Sequence, residues 1–231
     1  AAFILIPLAM VFYYGFTDKT GAFTLENILA IATPEHFKAL RISILLSLIA
    51  TVVCLLLAYP LAMILARMEV NTHSFIVLIF ILPMWMNFLL RTMAWQTLLE
   101  KNGVINSVLS FLHLPSLNLI NTPGAIILGM VYNFLPFMVL PIYNSLTKID
   151  QNVINAARDL GANSVHTFFK ITLPLSLPGV ISGITMVFVP ALTTFVISTL
   201  LGGSKILLIG NVIEQEFTQT GNWHLGSGLS M

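Results

Sequence analysis

Few side chains in this sequence have the types and spacing that chemistry needs. His36, His73, His113, His166 and His224 are scattered over separate stretches, with no metal-ligand spacing and no nucleophile beside a base. Gly202-Gly203-Ser204-Lys205 has neither the spacing nor the Gly-Lys order of a phosphate-binding loop. The one cysteine, Cys54, lies in an apolar run and reads as a small hydrophobe. What remains is recognition. Trp85 and Asn87 follow Pro83, Tyr132 and Asn133 precede Pro136, and Thr193 and Thr194 follow Pro190. Proline removes a backbone hydrogen bond and bends a helix, and a polar group in apolar surroundings is favoured where it faces a cavity or another helix. These six residues are therefore expected to line a solute pathway, the plainer alternative being ordinary interhelical hydrogen bonds. Arg91 is expected to reach outward to lipid headgroups as an anchor.

The elements that position these residues follow from composition. Hydrophobic residues make up 57% of the 231 and charged residues 8%, against roughly 25% charged in a soluble domain. With 10 Lys and Arg against 9 Asp and Glu, the net charge is +1. That excludes an ordinary soluble enzyme, a disordered chain and a basic nucleic-acid binder. A polytopic membrane protein is left. Apolar stretches long enough to cross about 30 Å of hydrocarbon, charge-free except for Arg91 near the end of the third, place spans at about 1–16, 42–66, 75–95, 124–146 and 180–201. Only helices fit, since open strands cannot satisfy their backbone groups in lipid. The fold class expected is an all-α membrane domain over 1–231 with five readable spans. The run at about 226–231 is expected to begin a truncated sixth, and a cytoplasmic start is expected before Ala1. Gly179-Val-Ile-Ser-Gly183 has the small-x-x-x-small form that lets helices approach closely.

One hydrophilic segment, 147–179, stands apart from the spans. Asp150 is a good helix N-cap and Gly161 a good helix stop. Between them Val153, Ile154, Ala157 and Leu160 fall on one face. Asn163 or Ser164 begins a second short helix with its own stripe, Val165, Phe168, Phe169 and Thr172, and Pro174 and Pro178 are expected to end it. The result is a helix–turn–helix at the membrane surface, either resting on lipid or docked into a groove of a soluble partner.

Here the sequence resembles the permease subunits of ABC importers. They carry a cytoplasmic loop with Glu-Ala-Ala, three residues, Gly, nine residues, then Ile-x-Leu-Pro. This chain has Asn155-Ala156-Ala157, three residues, Gly161, nine residues, then Ile171-Thr172-Leu173-Pro174. Only the leading glutamate differs. Asp159, one turn past Asn155, is placed to supply the charge that Asn155 lacks, and Arg158 lies between them. TPGAIILGMVYNFLPFMVLPIYNSL, AARDLGA and LLGGSKILLIGNVI are similar to the spermidine/putrescine group within that family, the first permease subunit in particular.

The resemblance implies a type I importer core in a bacterial plasma membrane, not an enzyme itself. It implies that loop 150–174 faces the cytoplasm and docks on an ATPase dimer, which binds ATP and magnesium, while this chain binds no cofactor. A second homologous permease and an extracytoplasmic substrate-binding protein are implied as further partners. It also sets the topology, overriding a charge count of four basic residues inside and six outside that opposes the usual bias. A polyamine needs carboxylates, yet the apolar spans contain no Asp or Glu. Glu214 and Glu216 are expected at the outer mouth, with further acid supplied by the second permease. The alternatives are an importer permease for another small solute (phosphonate, thiamine, ferric iron) and, in another class, a channel or secondary transporter. The latter calls for inverted repeats or intramembrane acids, which the sequence does not show.

Overall fold

The computed structural model describes residues 2–67 and 84–231. His73, Pro83 and the opening of the expected span 75–95 lie outside the described residues. Among the described residues the regular structure is helical, with one isolated antiparallel bridge between Thr17 and Phe23. In chain order the α-helices are α1 (Ala2–Gly15), α2 (Glu26–Leu29), α3 (Pro34–Arg67), α4 (Phe88–Leu99), α5 (Val104–Phe111) and α6 (Pro123–Leu146). Then follow α7 (Gln151–Asp159), α8 (Ser164–Thr167), a π-turn (Phe168–Thr172), α9 (Leu173–Thr193), α10 (Val196–Gly202), α11 (Ile209–Thr218) and α12 (Trp223–Ser230). Three helical runs among the described residues are long and apolar enough to cross a membrane: Pro34–Arg67, Pro123–Leu146 and Ser164–Thr193.

The residues group into two compact units. One comprises Ala1–Leu46, Gln96–Ile126 and Leu192–Met231, the other Ser47–Trp95 and Ile127–Ala191. In the second unit, α3 buries a stripe of small residues at four-residue spacing, Ala50, Cys54, Ala58 and Ala62, each fully enclosed. Such a stripe lets a neighbouring backbone come close, and packing is what associates helices in lipid, where the tails are as apolar as the side chains. Cys54 makes a long contact, 3.8 Å, with the Val131 carbonyl on α6, as a small core residue would. On its buried faces α6 carries Met130, Phe134, Met138 and Ile142, again four apart. The expected close approach of Gly179 and Gly183 is present on α9. A Cβ on Gly179 would stand 2.5 Å from the Pro141 carbonyl oxygen and from Ser145 Cβ, and one on Gly183 would stand 2.7 Å from Met138 Sδ.

In the first unit, polar side chains fasten irregular segments. Asn106, buried on α5, accepts from the Leu117 amide at 2.8 Å and donates to the carbonyls of Leu117 and Glu100. Asn211 of α11 donates to Thr199 Oγ1 at 2.8 Å and to the Phe195 carbonyl at 3.2 Å, and accepts from Ser198. His224 of α12 holds the Thr17 carbonyl at 2.7 Å. Asp18 accepts from the Thr20 hydroxyl and from the Thr20 and Ala22 amides, which hold its carboxyl below the usual value.

Several sequence expectations shift. The 180–201 stretch is not one helix: α9 begins at Leu173 and stops at Thr193, and α10 starts at Val196. At the break Gly210 packs against the Thr193 and Thr194 carbonyls, and the freed Phe195 carbonyl accepts from the Thr199 hydroxyl and the Asn211 side-chain amide. Pro174 and Pro178 do not end the second loop helix, because α8, the π-turn and α9 form one run, Ser164–Thr193. The π-turn widens the backbone just ahead of Pro174, whose ring would otherwise meet the carbonyl one turn earlier. Glu214 and Glu216, expected at the outer mouth, lie on helix α11. The apolar run at 226–231 falls largely within α12.

Candidate functional site

The segment that carries the motif is built by three local devices. Asp150 Oδ1 accepts from the Asn152 amide at 2.9 Å and starts α7. Gly161 ends it with φ +84°. The Gly161 amide donates to the Arg158 carbonyl at 2.9 Å and the Ala162 amide to the Ala157 carbonyl at 3.0 Å. This pair of bonds is the Schellman closure, whose left-handed residue is normally glycine. Asn163 then caps α8, accepting from the His166 amide at 2.8 Å. The motif spacing follows from these parts: Asn155, Ala156 and Ala157 need a helix, Gly161 its stop, and Asn163 the restart.

The surface this produces is amphipathic and largely uncovered. Leu160 is 89% exposed, Val165 64% and Phe169 60%. Asn155, Ala156, Arg158 and Asp159 are exposed, and Ala157 is half-buried. Apolar side chains this open, rimmed by charge, form a surface suited to a groove in another protein. Ile171 and Leu173 are half-buried and Pro174 is exposed, so the Ile-x-Leu-Pro end of the motif turns partly inward and joins the segment to α9. A cleft of about 740 Å³ lies behind α7, with Asn144, Lys148, Asp150, Val153, Leu175 and Ser182 in its wall.

Sequence reasoning missed the residue that pins this junction. Tyr59, buried on α3, makes a 2.7 Å hydrogen bond to Ser176 Oγ. Ser176 itself donates to the Leu173 carbonyl at 3.0 Å, so Tyr59 is the donor of the pair. The Tyr59 ring also meets Phe168 of the π-turn edge-on, with centroids 5.6 Å apart. A tyrosine one residue before Pro60 in an apolar helix was the available signal, but nothing in the sequence pairs it with a serine 117 residues away.

The expected pathway residues are distributed as follows. In the second unit, Trp85 is 76% exposed. Asn87 caps α4, accepting from the Leu89 amide at 2.8 Å. Tyr132 is 39% exposed and packs edge-to-face on Trp95 at 5.4 Å. Asn133 is buried: its Nδ2 donates to the Gly129 carbonyl at 2.9 Å and reaches Thr92 Oγ1 at 3.5 Å, while among the described residues its Oδ1 is enclosed with no partner. Arg91 is 7% exposed and buried within the unit, so it does not reach out as an anchor. In the first unit, Thr193 closes α9 and Thr194 follows it. The hydroxyls of Thr218 and Thr220 donate to the carboxylates of Glu214 and Glu216 at 2.9 and 2.8 Å.

With this geometry in hand, the class is defined by likeness to known proteins. The family model for the binding-protein-dependent transport system inner membrane component matches residues 40–223, and the chain belongs to that family. It is a membrane transport component of a binding-protein-dependent system and not an enzyme. Among its relatives is the spermidine/putrescine transport system permease protein PotB of Haemophilus influenzae, 37% identical over 99% of this chain and 83% of the relative. PotB of Escherichia coli K12 is 38% identical over 99% of this chain and 86% of its own length. The inner membrane ABC transporter permease protein YdcU of E. coli is 29% identical over 95% and 75%. A bacterial ABC transporter involved in import of the polysaccharide alginate shares the fold, with a TM-score of 0.76 at 16% identity over 99% of this chain and 83% of that one.

Proposed function

We propose that this chain is a permease subunit of an ATP-driven polyamine importer, carrying spermidine and putrescine inward. The observation that carries the reading is the 37–38% identity to PotB along 99% of the chain, joined to a motif-bearing segment whose exposed apolar side chains suit a docked partner. In this reading α7 seats in a groove of an ATPase subunit, and the Ala156–Gly161 stretch is the contact. ATP is bound with magnesium and hydrolysed on that ATPase pair. A second, homologous permease completes the pathway, because a cationic solute needs acid that the spans of this chain lack.

Within the second unit we assign the pathway to Trp85 and Tyr132, whose rings are exposed. An exposed ring holds an ammonium group at about 0.5–2 kcal/mol, weak enough to permit release. The test is uptake of radiolabelled spermidine by vesicles containing the assembled complex, with putrescine as competitor. Saturable uptake that requires the ATPase and ATP supports the reading. Background uptake of spermidine beside active uptake of another solute moves the chain to a different substrate, and uptake without any ATPase subunit makes it a channel or secondary transporter.

A further inference from the structure

Arg91 is placed where a cation is least welcome. It stands in the first turn of α4, behind the Asn87 cap, where the helix dipole is positive. Its side chain is 7% exposed, and among the described residues Nε and Nη1 are enclosed without a hydrogen-bond partner. A guanidinium withdrawn from water is strongly unfavourable until acceptors meet it. The next residue, Thr92, is fully buried and lies in a seam with Asn133 of α6, whose Oδ1 is likewise enclosed without a partner. This part of the second unit is thus polar, buried and electrostatically incomplete.

The missing counter-charge does not lie in the spans of this chain, which contain no Asp or Glu. The proposed solute is itself cationic, so it does not supply an anion. Nη2 is not among the enclosed atoms, so it is the edge of the guanidinium that a carboxylate from another chain can meet. Beside Arg91, the α4 surface carries Leu89, Leu90 and Met93, exposed at 46%, 61% and 43%, an apolar flank that another membrane helix would cover.

We propose that Arg91 is an inter-subunit charge receptor, which takes an Asp or Glu side chain from a membrane helix of the companion permease. The inference rests on the two-permease reading above. The experiment is purification of the complex through a tag on this chain, with the co-purified companion quantified. Wild-type material that contains no second permease overturns the two-permease reading itself, whatever Arg91 does. Given wild-type material that contains one, Arg91→Gln and the shape-preserving Arg91→Met are expected to lower retention of the companion by about tenfold or more. Arg91→Glu is expected to abolish it, and one Asp/Glu→Lys exchange in a membrane helix of the companion is expected to restore the Arg91→Glu complex. The proposal is overturned if Arg91→Gln and Arg91→Met retain the companion at wild-type level. It is overturned equally if no acidic exchange in the companion rescues Arg91→Glu. Loss of bound phospholipid from Arg91→Gln in native mass spectrometry, with the companion retained, would reassign Arg91 to a lipid phosphate.

Discussion

Gly161 shows how much one residue's backbone decides. Its φ of +84° is left-handed, and nothing lies within 4 Å of a Cβ built on it. Its substitution cost is therefore conformational and not steric, about 1–2 kcal/mol for a bulky L-residue. Gly161→Val is expected to loosen the end of α7 and to lower ATP-coupled uptake several-fold, while Gly161→Asn, which tolerates this conformation, retains most of it. Equal uptake in both variants would remove the helix stop from the mechanism. Tyr59→Phe deletes a buried hydrogen bond and leaves Ser176 Oγ without its donor, an expected loss of about 1–2 kcal/mol, measured as a lower melting temperature of the purified complex. The contrast between these residues explains what the sequence disclosed. Asp150, Gly161 and Asn163 act on backbone a few residues away, so their roles are readable from local order. Tyr59 acts across 117 residues, and its partner becomes visible only when the helices are packed.

At the scale of elements, the spacing of small residues is the most informative signal. Gly179 and Gly183 lie four apart and meet α6 as that spacing predicts. Gly179→Val is expected to cost about 1–3 kcal/mol through overpacking against Pro141 and Ser145, seen as a lower melting temperature. Gly124→Ala, whose Cβ would have only Thr122 Oγ1 at 3.7 Å, is the control and should leave that temperature unchanged. Helix ends were harder to read. Hydropathy runs unbroken through Phe195 and Val196, so the α9–α10 break was hidden; it depends on Gly210 and Asn211, which arrive later in the chain. The continuity of Ser164–Thr193 was hidden for the opposite reason, since two prolines promised a stop and a π-turn absorbed the first of them.

For the whole molecule, the exposed apolar side chains are the dominant fact. Phe3 on α1, Leu56 on α3 and Ile181 on α9 are 97%, 68% and 60% exposed. Such surface is stable only against lipid, detergent or other membrane helices. Composition alone disclosed this much, and the loop motif disclosed the class of transporter. The pathway was less legible, because a polar residue beside a proline reads the same whether it caps a helix, as Asn87 does, or faces a solute. Trp85→Ala is expected to reduce spermidine uptake about two- to thirtyfold, the loss of one cation–π contact, with the amount of co-purified ATPase unchanged. Normal uptake in this variant would return Trp85 to a structural role.

The run Ser164–Thr193 has a mechanical consequence. Its 30 residues make a rod about 45 Å long at 1.5 Å per residue. The rod is gripped where Gly179 and Gly183 press on α6, nearer its far end than its loop end. In the docking proposed above, a push at the loop would travel along this run to that contact, so the close packing of Gly179 and Gly183 on α6 is where loop and span are joined.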